Sequence, residues 1–296
     1  MGGSGGSRAP GHRIRRISSP QVREASEHTE DLDGLPVFWR EAPAPEQEAA
    51  LAPVLYLHGV PSNADEWTAW LALTGGLAVD LPGFGRSYKP GWLSSTIEEY
   101  DSFIERFLDW RGIERVRLVM HDWGAVGLAF AQRRPERVER MVLINVVPFL
   151  PGYRWHRLAR AWRTPVLGEL AMGTMVGFTL KHLSREANVT PGPLPEDVRN
   201  SILKYLDQGT ERAILRLYRS SPSERLAAAG EHLGDVRAPT LVAWGTRDPY
   251  IPERFAREYV AALPHAELLE LPDAGHWPWL DRPDLPARVH DFLAGR

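Results

Sequence analysis

The chain has 296 residues, 43% of them hydrophobic, which suffices for one large core or two smaller ones. Its 35 basic and 38 acidic side chains leave a net charge of −3, which argues against a nucleic-acid surface, and the absence of cysteine excludes disulfides, thiolate metal sites and a Cys nucleophile. No apolar run reaches the roughly 18 residues of a bilayer span, and no apolar signal core stands near the start, so a cytoplasmic protein is expected.

Residues 1–20 read as a disordered tail, Gly/Ser-rich and then basic without aromatic anchors. Residues 22–30 and 35–41 can pair as antiparallel strands at a sheet edge. Short apolar runs at 54–57, 76–80, 116–120, 141–145, 240–244 and 267–271 read as strands. Between them, residues 65–73, 97–111, 123–134, 252–262 and 285–293 carry helical spacing. This alternation predicts an α/β fold with a doubly wound, mostly parallel sheet. From 148 to 233 the alternation stops, and only helical pattern remains, punctuated by Pro165, Pro191, Pro193, Pro195 and Pro222. The expected organisation is therefore a core of residues 21–147 and 234–296 carrying a helical cap, or lid, at 148–233. A separate packing domain is the plainer alternative. Trp155, Trp162, Leu167, Leu170, Met172, Met175 and Phe178 are the cap's candidate pocket residues.

The chemistry concentrates at strand ends. Val116 to Met120 runs into His121-Asp122-Trp123-Gly124 and then into helical pattern, the strand–turn–helix context that lifts one side chain above the sheet edge. That side chain is Asp122. A carboxylate attacking carbon leaves an alkyl ester that water must later hydrolyse, so the substrate should carry a leaving group on saturated carbon. A helix-capping Asp would account for residue 122 taken alone. Three further strand ends carry His58-Gly59-Val60-Pro61, Asp248-Pro249 and Gly275-His276-Trp277. The order nucleophile, acid, histidine is one of the known triad orders.

On these motifs, with Asp80 to Ser87 (Asp-Leu-Pro-Gly-Phe-Gly-Arg-Ser), the chain resembles the α/β-hydrolase superfamily over roughly residues 35–294. Within it, the resemblance is to the Asp-nucleophile branch of epoxide hydrolases and haloalkane dehalogenases. It implies an α/β-hydrolase fold with Asp122 as nucleophile, the Val60 and Trp123 amides as oxyanion hole, His276 as base and Asp248 as its orienting acid. Trp123, His58 and Pro61 would meet the substrate. Tyr218, thirty residues before Asp248, resembles a lid tyrosine of epoxide hydrolases. Tyr153 and Tyr205 are the candidates for a second one. Val60 offers no side-chain donor where many dehalogenases place Asn, and Asn145 stands in the sixth-strand region where some of them keep the acid. An epoxide hydrolase acting on a small apolar substrate is expected, with haloalkane dehalogenation as the alternative and a non-catalytic ligand-binding relative as a third reading. No metal or organic cofactor, nucleic acid or membrane is implied, and the chain is expected to act as a monomer or homodimer.

Overall fold

The computed structural model describes Gly2 and residues 23–174, 186–189 and 194–296. The rest of the expected tail at 1–20, and Met175 and Phe178, lie outside the described residues.

The strands are β1 (Ser26–Leu32), β2 (Leu35–Ala42), β3 (Val54–Leu57), β4 (Gly76–Val79), β5 (Val116–Asp122), β6 (Val138–Val146), β7 (Thr240–Gly245) and β8 (Ala266–Leu271). They form one sheet in the order β1-β2-β4-β3-β5-β6-β7-β8. The β1–β2 and β2–β4 pairs are antiparallel and every pair from β4 to β8 is parallel, so the expected edge pair and parallel sheet are both present.

The central runs are mostly apolar because both faces are covered, and the buried Arg117 of β5 spends its guanidinium on the Ala52 and Leu293 carbonyls. Leu55, Leu57, Leu118, Met120, Met141 and Leu143 point to one face. There they meet α2 (Ile97–Trp110), α3 (Gly127–Arg133) and α9 (Arg254–Ala262), through residues such as Phe103, Phe107, Leu128, Phe255 and Tyr259. Val54, Tyr56, Val119, Val142 and Ile144 point to the other face. Their partners are Trp70 and Leu71 of α1 (Thr68–Thr74) and Leu285, Val289 and Leu293 of α11 (Leu285–Leu293). Each fully buried large apolar side chain stabilises the fold by about 1.5–3 kcal/mol. Two expected helices begin instead as 3-10 turns, at Ala64–Trp67 and Trp123–Val126, before α1 and α3 proper. The short α10 (Pro278–Asp281) follows β8.

Between β6 and β7 the described residues hold α4 (Arg157–Arg163), α5 (Leu167–Thr174), α6 (Glu196–Tyr205), α7 (Gln208–Ser220) and α8 (Ser223–Ala229), and no strand. In α7 the inward positions Ala213, Ile214, Leu217 and Tyr218 are buried, Asp207 caps its start by accepting from the Thr210 amide, and Ser221 ends it before Pro222. Leu167 and Leu170 do not line a pocket; they are 50% and 64% exposed, on the outer side of α5. Among the described residues no helix is long and apolar enough to cross a membrane.

The chain runs from β3 to β4 in one direction along the sheet and from β5 to β8 in the other. The carboxyl ends of β3 and β5 therefore flank the point where strand order reverses, the place where open α/β sheets leave a crevice.

Candidate active site

Asp122 is the last residue of β5. Its backbone takes φ +47° and ψ −116°, a strained region for a residue with a side chain, worth about 1–3 kcal/mol. That turn lifts the carboxylate over the sheet edge. Two glycines leave room for it. A Cβ on Gly124 would run into the Leu57 carbonyl oxygen, and one on Gly59 would meet the Asp122 Cβ at 2.5 Å.

The two carboxylate oxygens are already differentiated. Oδ1 accepts the Val60 amide at 2.8 Å, whereas Oδ2 stands 3.8 Å from His276 Nε2. Burial pushes the Asp122 carboxyl above its ordinary value, against the pull of His276, His121 and the Val60 and Trp123 amides. The Val60 and Trp123 amides thus assist ionisation, but burial outweighs them.

His276 Nδ1 donates to Asp248 Oδ2 at 2.8 Å. Asp248, its side chain fully buried, also accepts from the Tyr250 and Ile251 amides through Oδ1 and from Asn145 Nδ2 through Oδ2. Burial would raise its carboxyl, but His276 and these donors bring it below the ordinary range. Burial likewise favours neutral His276, and the Asp248 and Asp122 charges reverse that and raise its pKa. Asn145 is not an acid but a brace: it bonds Gly245 both ways, through its amide nitrogen and oxygen, and holds the Asp248 carboxylate.

A cavity of about 40 Å³ opens on Asp122 and His276. Its walls include Val60, Pro61, His156, Leu158, Trp162, Tyr218, Tyr250 and Trp277. The structure thus brings Asp122, His276, Asp248, Val60, Pro61 and Tyr218 together. Tyr218 reaches the cavity from α7, its ring edge-on to Trp123 and Trp162. Burial first, and the Asp122 charge next, hold its phenol well above the ordinary value, so it keeps its proton. Trp123 lies behind the cavity wall, stacked on Trp155.

Besides Trp123, expected to meet the substrate, three positions differ. His58 does not reach the cavity: its Nδ1 donates to the Gly59 carbonyl and its Nε2 accepts the Leu81 amide, so both ring nitrogens are spent on the backbone. Tyr153 is buried behind the wall with its hydroxyl toward the Tyr250 carbonyl at 3.5 Å. Tyr205 is elsewhere, its ring under the Arg86 guanidinium.

Sequence reasoning missed His156, Leu158, Tyr250 and Trp277 as wall residues. Tyr250 had a signal, two places after the candidate acid; His156 had none. His156 accepts the Ala159 amide through Nδ1 at the start of α4, and burial lowers its pKa to about 4, so it is neutral near pH 7.

The family model described as alpha/beta hydrolase fold matches residues 52–283. A haloalkane dehalogenase of Mycolicibacterium paratuberculosis is 30% identical over 271 residues, covering 80% of this chain and 82% of that protein. The cis-3-alkyl-4-alkyloxetan-2-one decarboxylase of Shewanella oneidensis is 27% identical over 245 residues, 76% of each chain. Among solved structures, the haloalkane dehalogenase DbeA of Bradyrhizobium elkani superposes with a TM-score of 0.76 at 25% identity, over 92% of this chain and 98% of that one. With the sheet order, the strand-end site and the match over most of its length, the chain belongs to the alpha/beta hydrolase fold family.

Proposed function

We propose that the chain is a hydrolase that displaces a halide from a small apolar haloalkane through a covalent ester on Asp122, with residues 148–233 serving as the cap over a core of residues 21–147 and 234–296. Asp122 Oδ2, the oxygen not held by Val60, attacks the carbon bearing the halogen. The carbon–halogen bond breaks as the carbon–oxygen bond forms, and halide departs with the bonding pair. His276 Nε2 then takes a proton from water, whose oxygen adds to the Asp122 ester carbon. Oδ1 becomes the oxyanion, and the Val60 and Trp123 amides stabilise it. Collapse expels the alcohol carrying Oδ2, which receives the proton back from His276. Asp248 holds the ring in the tautomer that leaves Nε2 free to accept.

The observation that carries the halide reading is the pair of buried indole N–H groups of Trp162 and Trp277 on the cavity wall, without acceptors among the described residues. Trp67, Trp70 and Trp244 lack acceptors too, but they do not line the cavity. An unpaired buried donor beside a nucleophile is a site for a departing anion, since leaving it unmade costs about 1–3 kcal/mol. The dehalogenase relatives support the same reading.

One observation favours a second reading. The protonated Tyr218 phenol at the cavity wall suits an epoxide, whose oxygen leaves as an alkoxide and needs a proton. The deciding assay offers 1-bromobutane and styrene oxide side by side. Bromide release without diol formation is expected. Diol without bromide would overturn the halide reading in favour of the epoxide one, and Tyr218→Phe should then slow ring opening by on the order of 10²–10⁴. Carbon dioxide from a 3,4-dialkyl-oxetan-2-one with neither other product would replace both by the reaction in the Shewanella relative's name. For the covalent step, a single turnover in water enriched in heavy oxygen should label the Asp122 carboxylate and leave the product unlabelled. His276→Gln should accumulate the ester as a mass increase. Labelled product with unlabelled Asp122 would mean direct attack by water.

A further inference from the structure

His121 directly precedes the nucleophile, yet its side chain points away from the cavity, and the mechanism above gives it no work. Its ring is buried against the back of the triad, 4.9 Å from the His276 ring between centroids. Nε2 lies 2.9 Å from the main-chain carbonyl oxygen of His276. A carbonyl only accepts, so Nε2 carries a proton. Nδ1 lies 2.8 Å from Glu66 Oε1, and both side chains are 1% exposed. Burial alone would raise the Glu66 carboxyl, but His121 brings it below its usual range. Glu66 comes from the 3-10 turn after β3, and His276 from the loop after β8. The His121 ring therefore ties three segments together.

The His276 loop has other ties, among them the ring's bond to Asp248 and the Ala274 carbonyl, which accepts the Arg247 amide. The His276 amide donates to the Ala187 carbonyl at 2.6 Å, and the Gly275 amide donates to Asp281 at 2.9 Å. Among the described residues His121 is the one protein donor to the His276 carbonyl. A buried carbonyl stripped of its donor would force the loop to move toward a new one.

We propose that Glu66 and His121 form a buried clamp that positions His276, with His121 gripping the base's main chain and Glu66 holding the His121 ring in place. The clamp rests on the covalent reading above and sharpens it, because the two half-reactions need different groups. Ester formation needs Asp122, whose carboxylate is held by the Val60 amide. Ester hydrolysis needs the His276 ring aimed at water. A misplacement of that ring by about 1 Å costs on the order of 10²-fold, and it falls on the second half-reaction alone.

The test measures both half-reactions by rapid quench and intact mass, with 1-bromobutane and with styrene oxide, on the full chain. The double variant Glu66→Leu with His121→Phe removes the grip without leaving a buried charge, the kind of replacement folds often tolerate. Its ester hydrolysis should slow roughly 10- to 100-fold, with ester formation changed much less, so the adduct accumulates during turnover. Glu66→Gln can keep both hydrogen bonds and should rescue the ratio of the two rates. If the double variant does not fold, Glu66→Ala leaves the ring but removes its anchor, and the ratio should shift in the same direction by a smaller factor. Equal slowing of both half-reactions, or none, overturns the clamp. The His276→Gln control separates the two ideas: an adduct there without any effect at Glu66 and His121 sinks the clamp alone, and no adduct with either probe sinks the covalent reading and the clamp with it.

Discussion

Asp122 and Asp248 are both buried carboxylates beside His276, and their surroundings push them in opposite directions. Burial dominates at Asp122 and raises its folded-state pKa, so its favourable protonated form is fully present below the unfolded pKa and is lost as pH rises through the folded one. At neutral pH an ionised Asp122 therefore costs stability. Asp122→Asn, which can still accept the Val60 amide and tolerates positive φ, should raise Tm at pH 7 by roughly 2–4 °C, and by less near about pH 3, below the ordinary carboxylate range. Scanning calorimetry at the two pH values checks this, and a lower Tm at pH 7 would contradict it. Asp248 has the opposite sign. Its lowered pKa contributes stability above the unfolded value that is lost as pH falls through the folded one, so Asp248→Asn should lower Tm at pH 7 and converge on the parent in acid.

The elements carry the site through two close approaches. The end of β5 passes β3 with no space for a methyl group at Gly124, and the loop after β3 crosses Asp122 with none at Gly59. Gly124→Ala would press against backbone, which cannot swing aside as a long side chain can. A loss of about 1–3 kcal/mol is expected, read as a lower denaturation midpoint with unchanged slope. Gly59→Ala would press against the Asp122 side chain itself. Its main effect should be on ester formation, with a smaller one on the denaturation midpoint. A large stability loss with normal ester formation would show that β3 moves more easily than Asp122.

Across the whole molecule, the helices between β6 and β7 are tied to the sheet by a polar network around Arg86. Arg86 donates through its amide and its guanidinium to the fully buried Asp80, and forks onto Asp65. Ser201 of α6 donates to Asp65, and Tyr205 of α6 stacks on the Arg86 guanidinium. Nearby, Lys89 pairs with the more exposed Asp207. Arg86→Ala leaves Asp80 without its cation and should cost about 3–5 kcal/mol, whereas Lys89→Ala should cost less than about 1 kcal/mol. Comparable losses in urea unfolding would mean that the network contributes no more than a surface pair.

The strands, their order in the chain and the elbow at Asp122 are legible in the sequence because they are local. Runs such as Val54 to Leu57 and Leu118 to Met120 are apolar at every position, which only a strand covered on both faces needs, and Gly124 after Asp122 marks a turn that tolerates no side chain. The helical character of residues 148–233 follows likewise from spacing, at least where they are described. What surrounds Asp122 is a different kind of information. His58, read as a substrate contact, is consumed by the Gly59 carbonyl and the Leu81 amide, partners that no motif announces. Tyr153 turns behind the wall while Tyr250 takes a place on it, and His156, Trp162 and Tyr218 arrive from helices 34 to 96 residues beyond the nucleophile. The Glu66–His121 pair joins residues 55 apart, and the grip on His276 spans 155. A side chain's chemistry is written at its own position, but whether its donors face a cavity or are spent on backbone depends on which distant segment packs against it. That is decided only when the sheet and the helices above it close together.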